Sequence, residues 1–228
     1  MKSIVLADGD PPARDRLDAN WPGWSDELGL VVAADGGARH ARGLGLTIDV
    51  WVGDGDSIAP DDLEALAASG VELRRVASAK DESDTELAVL TALERGATDV
   101  LVLGAFGGPR LDHGLANIGL LALPGLGDRH LALLDGTTRV TLISAPGPGG
   151  ESVRRELPGR VGDIVSLLPQ GQGVEGVVTT GLAYPLRHEP LPAGPARGLS
   201  NVRVATDASV TIRSGLLLVV ESPATLAP

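Results

Sequence analysis

The stretch "DVWVGDGDSIAPDDLEALAASG" (residues 49–70) contains a complete strand-to-helix unit. Its first part, "DVWVGD" (49–54), is a short apolar run typical of a strand buried on both faces. Its last part, "PDDLEALAASG" (60–70), opens with proline and acidic residues and closes with glycine, as helices commonly do. A strand that leads into a helix is the building block of a parallel sheet.

The same alternation continues through residues 1–137. Five further apolar runs predict strands: "SIVLA" (3–7), "LVVAAD" (30–35), "VELRRV" (71–76), "DVLVLGAF" (99–106) and "HLALLDG" (130–136). Two further segments predict helices: "SDTELAVLTALERG" (83–96) and "LDHGLANIGLLAL" (111–123). We therefore expect an α/β domain over residues 1–137, with a parallel sheet covered on both faces.

Residues 138–228 differ from the first part in composition and in hydrophobic pattern. Ten of the 16 prolines fall here, and short alternating segments are separated by glycine and proline. The segments that predict antiparallel strands are "RVTLISA" (139–145), "DIVSLLP" (163–169), "GVVTTG" (176–181), "NVRVAT" (201–206), "SVTIRS" (209–214) and "GLLLVVES" (215–222). We expect a second, all-β domain over residues 138–228, of the sandwich or barrel-like kind.

Composition excludes several classes of protein. The chain has no cysteine, which excludes disulfides and thiolate metal sites. No apolar run approaches the roughly 18 residues of a membrane span, and the start turns acidic too early for a secretory signal. The net charge of −11 argues against binding to nucleic acid or to an anionic membrane. We expect a cytoplasmic protein.

Charge also distinguishes the two predicted domains. Residues 1–137 hold 11 basic and 23 acidic side chains, whereas residues 138–228 hold 8 and 7. We therefore expect the acidic first part and the nearly neutral second part to have different functions.

Acidic side chains follow several of the predicted parallel strands. Since the carboxyl ends of parallel strands share one edge of the sheet, we expect these side chains to converge there. They are Asp35, Asp54, Asp56 and Asp84. Each has a plainer interpretation as well, because Asp-Gly pairs form turns and "SDTE" (83–86) is a helix capping box.

Taken together, the four acids favour a metal site. Carboxylates held close repel one another unless a cation neutralises them, and hard oxygen ligands suit Mg²⁺ with substrate phosphates. Lys80 and Arg110 are expected to lie beside this cluster, where both are able to hold phosphate oxygens. Gly107 and Gly108 precede a predicted helix, a place where backbone N–H groups receive phosphate. The combined hypothesis is chemistry on a magnesium–nucleotide complex.

Other nucleotide and hydrolase motifs are missing. The chain contains no G-x-x-x-x-G-K-[ST], no G-x-S-x-G and no H-E-x-x-H. A single G-x-G-x-x-G match, "GQGVEG" (171–176), lies among predicted short strands with no helix after it, so we do not assign it to a dinucleotide.

A series of segments resembles the bacterial form of the thiamine pyrophosphokinase family. The segments follow the family's order over nearly the whole chain: "ADGGARH" (34–40), "VGDGDSI" (52–58), "KDESDTELAV" (80–89), "GAFGGPRLDHGLANIGLL" (104–121), "IVSLLP" (164–169), "TTGLAYPL" (179–186), "GLSN" (198–201) and "SGLLLVV" (214–220). Such a series is far more specific than any one motif.

The resemblance implies an enzyme that transfers a diphosphate from ATP to the hydroxyl of thiamine. It implies a homodimer with a thiamine site shared between subunits, and Mg²⁺ as cofactor. By matching position, the catalytic and metal-binding residues would be Asp54, Asp56 and Asp84. Residues handling the nucleotide would be Asp35, Gly36, Lys80, Ser83, Gly108, Arg110, Asp112 and Asn117. Residues facing thiamine would be Thr180, Tyr184, Ser200 and Asn201.

The chain departs from the family pattern at four positions. Gly55 replaces the usual Phe, Ser83 stands where Thr is common, Pro109 is an extra residue and Tyr184 replaces a Trp. None of them removes a carboxylate, and Tyr184 is still able to stack on a flat ring. Two alternatives stay open: a pyrophosphokinase for another alcohol, such as a hydroxymethylpterin, and a non-catalytic sensor of nucleotide or thiamine.

Overall fold

A computed structural model describes residues 1–146 and 150–224 of the chain. The chain forms two compact units, Met1–Gly136 and Thr137–Pro228. No helix in the part of the chain that the structure describes combines the length and the apolar character that crossing a membrane requires.

The first unit alternates strands and helices. Its strands are β1 (Lys2–Leu6), β2 (Leu28–Ala34), β3 (Val50–Gly53), β4 (Glu72–Arg75), β5 (Asp99–Leu103) and β6 (His130–Leu134). Its α-helices are α1 (Arg14–Asn20), α2 (Ala41–Leu44), α3 (Pro60–Ala68), α4 (Asp84–Glu94) and α5 (Leu111–Leu120). Two 3₁₀ helices, Asp35–His40 and Pro124–Leu126, complete the unit.

All six strands pair in parallel, in the order β4-β3-β2-β1-β5-β6. The central strands are buried along almost their whole length, and this explains why their sequences are continuously apolar. Edge strand β4 is polar and partly exposed instead. The predicted α/β class is confirmed.

The strand order reverses between β1 and β5. From β1 the chain builds outward to β4, then returns to the other side of β1 for β5 and β6. In open parallel sheets the crevice at such a reversal is where ligands bind.

Leucine, valine and alanine fill the core of the first unit, as the 2% content of aromatic residues requires. Two tryptophans are also buried there, Trp24 at 4% exposure and the fully buried Trp51, whose Nε1 donates to the Asp35 carbonyl oxygen at 3.0 Å. This bond ties the middle of β3 to the residue that follows β2.

The second unit is built from antiparallel strands, as predicted. They are β7 (Arg139–Ala145), β8 (Val153–Leu157), β9 (Ile164–Thr180), β10 (Arg187–Leu191), β11 (Asn201–Val202), β12 (Ala208–Ile212) and β13 (Ser214–Ser222). The main strand order is β7-β13-β9-β12-β8, and β10 and β11 also pair with β9. The unit has its own hydrophobic core, which includes Ile143, Leu167 and Leu217.

The longest strand of this unit differs from the sequence prediction. Residues 163–169 and 176–181 were expected to form separate strands, but β9 runs through both. Gly171 and Gly173 have positive φ, and the register with β13 jumps from Gln170 to Val174. The glycines therefore form a bulge within one strand rather than a turn between two.

Candidate active site

Three carboxylates meet at the carboxyl edge of the parallel sheet. Asp35 follows β2, Asp54 follows β3, and Asp84 is the first residue of α4. One oxygen of each lies within 4.8 Å of the others, the arrangement of a possible cation site among the described residues. The structure therefore brings these three acids together, as the sequence predicted.

Asp56 was expected in this group, but its side chain lies outside it. It is exposed, and one carboxylate oxygen accepts a hydrogen bond from Ser57 Oγ at 2.8 Å. Its backbone N–H donates to Asp54 Oδ1 at 3.1 Å. Asp56 thus orients Asp54 through the turn, which Gly55 forms with φ of 86°.

Asp35 is the most buried of the three acids, at 3% exposure. Its Oδ2 accepts the Ser57 backbone N–H at 3.3 Å, whereas Oδ1 is buried and has no hydrogen-bond partner in residues 1–146 and 150–224. Burial raises the pKa of Asp35 to about 6, and the negative charges of Asp84, Asp56 and Asp54 add to the effect. An orphaned, buried carboxylate oxygen fits a cation ligand.

Asp54 has the opposite electrostatic environment. A hydrogen bond from the Ser78 side chain lowers its pKa, assisted by the Asp56 backbone and the charge of Lys80. Two neighbouring acids therefore have pKa values pushed apart by their surroundings.

Asp84 owes its position to the start of α4. Ser83 is the N-cap, and its Oγ accepts the Glu86 N–H at 3.1 Å. The first turn of α4 therefore carries Asp84 at the helix N-terminus, where negative charge is favoured. Ser83, predicted to handle nucleotide, has this structural task in the fold.

Lys80 supplies positive charge to the same group. Its Nζ lies 3.1 Å from Asp84 Oδ1 and 3.9 Å from Asp54 Oδ2. Of the eight residues predicted to handle nucleotide, Asp35 is thus one of the three acids, and Lys80 forms ion pairs with the other two.

Glycine is required where the 3₁₀ helix after β2 lies against its neighbours. A Cβ on Gly36 would lie 2.5 Å from Asp8 Oδ1, and one on Gly53 would lie 2.8 Å from the Asp35 Cβ. Real Cβ atoms do not approach this closely. Gly36, predicted to contact nucleotide, is thus needed for packing in its own right.

The β5–α5 connection holds the remaining predicted nucleotide residues. The Gly108 N–H donates to Asp10 Oδ1 at 3.2 Å. Arg110 and Asp112 form an exposed ion pair, which lowers the pKa of Asp112 to about 2. Asn117 is buried, and its side chain donates to the Ala105 carbonyl oxygen at 2.8 Å. This hydrogen bond from the buried Asn117 side chain therefore holds the β5–α5 connection in place.

The segment after β1 is a part of this edge that the sequence reasoning did not select. Arg39 forms an ion pair with Asp8 and also donates to the Asp8 carbonyl oxygen at 2.9 Å. The buried His40 ring lies 3.0 Å from the Gly9 carbonyl oxygen through Nε2, and burial lowers its pKa. The signal was available, because "ADGD" (7–10) follows β1 with the same Asp-Gly-Asp pattern that follows β3.

In the second unit, three of the four predicted thiamine-facing residues lie together. Asn201 is buried, and its side chain binds the Tyr184 backbone at both N–H (2.9 Å) and carbonyl oxygen (2.7 Å). The Tyr184 side chain is 63% exposed, and Ser200 adjoins Asn201. Thr180 lies at the end of β9 instead, with its Oγ1 2.7 Å from Ser209 Oγ.

Comparison with known proteins agrees with this division of the chain. Residues 24–127 match the family "Thiamin pyrophosphokinase, catalytic domain" and residues 153–217 match "Thiamin pyrophosphokinase, vitamin B1 binding domain". The thiamine pyrophosphokinase of Bacillus subtilis (strain 168) is 25% identical over 222 residues, covering 97% of this chain and 99% of that protein.

Solved structures share the fold. The crystal structure of thiamine pyrophosphokinase from Bacillus subtilis has a TM-score of 0.80 at 23% identity, covering 98% of this chain and 99% of that one. The thiamin pyrophosphokinase from Candida albicans has a TM-score of 0.77 at 16% identity, covering 97% and 90%. At these identities the likeness concerns architecture.

Proposed function

The chain belongs to the thiamin pyrophosphokinase family, and we propose that it transfers a diphosphate from ATP to the hydroxyl of thiamine, giving thiamine diphosphate and AMP. The single observation that carries the proposal is the group formed by Asp35, Asp54 and Asp84 at the carboxyl edge of the sheet. Diphosphate transfer depends on positioning and charge stabilisation more than on covalent chemistry by the protein.

The proposed cofactor is Mg²⁺, held by Asp35, Asp54 and Asp84. Hard carboxylate oxygens suit this ion, and Oδ1 of Asp35, which has no hydrogen-bond partner in the described part of the chain, is suited to bind it. When bound, the ion would neutralise phosphate charge that otherwise repels an incoming oxygen. Asp56, outside the group, is proposed to act on the phosphate side of the same site.

The chain's own residues have two further tasks in this proposal. Lys80 and Arg110 supply positive charge for phosphate oxygens. A carboxylate, Asp84 or Asp56, accepts the proton that the thiamine hydroxyl loses as its oxygen bonds to the β-phosphorus. The bond from the β-phosphorus to the departing AMP breaks in the same transfer.

The proposed thiamine site lies on the second unit. The exposed ring of Tyr184 offers a face on which an aromatic ring can stack, and Asn201 holds the Tyr184 backbone in place. Ser200 offers a hydroxyl group next to Asn201, and Thr180 offers another at the end of β9.

We further propose a cytoplasmic homodimer in which the thiamine site is shared between subunits. Support comes from large apolar side chains on the surface, including Leu111 (77% exposed) and Leu115 (59%) on α5 and Leu199 (53%) in the second unit. Sedimentation equilibrium of the purified protein measures the oligomeric state directly.

The first experiment combines protein, ATP, Mg²⁺ and thiamine and quantifies AMP and thiamine diphosphate by chromatography. Equal amounts of the two products are expected. Asp54→Asn should lower turnover by at least about 100-fold while the protein stays folded, because a charge that organises the transition state is lost. Asp128→Asn makes the same charge change in an exposed turn and should keep full activity.

The alternatives give different results in the same assay. A pterin-type enzyme would form AMP only with a hydroxymethylpterin. A sensor would bind nucleotide without forming AMP, and Asp54→Asn would change only its affinity. Either result would contradict the proposed function.

A further inference from the structure

Lys80 lies inside the carboxylate group rather than beside it. Its side chain is 15% exposed, and its Nζ is within 4 Å of both Asp84 and Asp54, whose own side chains are 27% and 11% exposed. These ion pairs are therefore shielded from water more than typical surface pairs are, and their charges are less screened.

Both carboxylates that Lys80 contacts also belong to the possible cation site. A second observation identifies that site independently, since Asp35 Oδ1 is buried there without a hydrogen-bond partner among the described residues. An ammonium group and a divalent cation thus require oxygens of the same two side chains, Asp54 and Asp84.

We propose that the Lys80 ammonium competes with the divalent cation for Asp54 and Asp84. In the metal-free protein the ammonium neutralises both carboxylates, and binding of the cation displaces the ammonium. The proposal rests on the proposed function only in taking the cation to arrive with a nucleotide. Lysine suits this exchange because its charge sits at the end of a flexible four-carbon stem.

The exchange has opposite effects on two kinds of ligand. A bare divalent cation must overcome the ammonium, so Lys80 weakens its binding. A cation that arrives with a nucleotide brings phosphate oxygens, and the displaced ammonium then has new anionic partners. Lys80 therefore makes the site select the metal–nucleotide complex over the free metal.

The test measures binding to wild type, Lys80→Met and Lys80→Arg. Mn²⁺ alone is titrated first, with free Mn²⁺ followed by electron paramagnetic resonance. The second titration uses Mn²⁺ with α,β-methylene-ATP, in which the bond that the proposed reaction breaks is replaced. The chain's other lysine offers a matched control, Lys2→Met, because Lys2 Nζ donates to the Gly23 carbonyl oxygen instead.

We expect Lys80→Met to bind Mn²⁺ alone at least about fivefold more tightly and the metal–nucleotide complex at least about fivefold more weakly, since one nearby charge is removed. Lys80→Arg keeps the charge and should bind Mn²⁺ alone as weakly as wild type. Lys2→Met should match wild type in both titrations. A merely structural lysine would move both affinities in the same direction.

The proposal is wrong if Lys80→Met binds Mn²⁺ alone no more tightly than wild type, or if no variant binds it at all. If Lys80→Met does not fold, Lys80→Gln replaces it. Tighter binding of Mn²⁺ alone by Lys80→Gln than by wild type then supports the proposal in the same way. Failure of the proposed function is a separate result, because it appears as absence of AMP with thiamine while the two titrations keep their opposite signs.

Discussion

Single residues at the carboxyl edge show how position alone assigns different properties to one side-chain type. Asp35 and Asp54 are both acids that follow a parallel strand. Burial raises the pKa of Asp35 to about 6, while the Ser78 hydrogen bond lowers the pKa of Asp54. At neutral pH the ionised, buried Asp35 therefore destabilises the folded protein, and a bound cation would remove this destabilisation.

Asp35→Asn should stabilise the metal-free protein at neutral pH and abolish activity. The folded-state pKa of Asp35 is about 6 and the unfolded value is about 4, so the folded protein holds this proton more tightly. Its contribution to the free energy of unfolding is complete below about pH 4 and is lost as pH rises through about 6. The substitution should therefore add up to about 3 kcal/mol above pH 7 and little near pH 4.

Urea unfolding between pH 4 and 8, with EDTA present, measures this difference. Asn tolerates the left-handed backbone at this position, where φ is 40°. Exposed Asp128→Asn serves as the control and should show no such pH dependence. A variant less stable than wild type at pH 7.5 would contradict the electrostatic account of Asp35.

At the scale of elements, the N-terminus of α4 determines where one of the three acids lies. Ser83→Ala removes the cap on Glu86 and should lower the free energy of unfolding by about 1 kcal/mol. Ser83→Thr retains the hydroxyl and should keep most of the cap's contribution to the free energy of unfolding. Thermal and urea unfolding check both variants. Unchanged stability with a raised KM for ATP would mean that Ser83 binds nucleotide rather than capping α4.

Elements were predictable in proportion to how strongly their own residues specify them. All six parallel strands and helices α3, α4 and α5 were predicted, since all of them except the polar strand β4 have a clear apolar run or clear end signals. Helices α1 and α2 were missed because they have 7 and 4 residues, too few for a periodic pattern. Strands β8 and β10 were missed because their sequences, "VRREL" and "RHEPL", are polar. These segments become strands by pairing with β12 and β9, respectively.

At the scale of the molecule, the two units have separate cores. The second contains a buried ionic network in which Glu221 receives two hydrogen bonds from Arg139, both at 2.8 Å. Arg203, 1% exposed, lies 3.9 Å from the same carboxylate. This network is expected to stabilise the second unit, to which all three of its residues belong.

Glu221→Gln should lower the free energy of unfolding by about 3 kcal/mol, because it removes the negative charge between two guanidinium groups. Mn²⁺ binding at 20 °C should be unchanged. Glu156→Gln, in an exposed pair with Arg154 on β8, is the matched control and should cost less than about 1 kcal/mol. Calorimetry and the Mn²⁺ titration test this, and a parallel loss of Mn²⁺ affinity would contradict a role of Glu221 in stability alone.

By itself, the sequence determined the class of the fold and the edge of the sheet where the acids gather. Apolar periodicity and strand-end residues are local properties, and the geometry of parallel strands brings their carboxyl ends to one side. Only the tertiary structure decided that Asp56 stays outside the group of Asp35, Asp54 and Asp84, and that Lys80 forms ion pairs with Asp54 and Asp84. Those outcomes depend on side-chain direction, burial and charge from segments far apart in the chain, which local patterns do not contain.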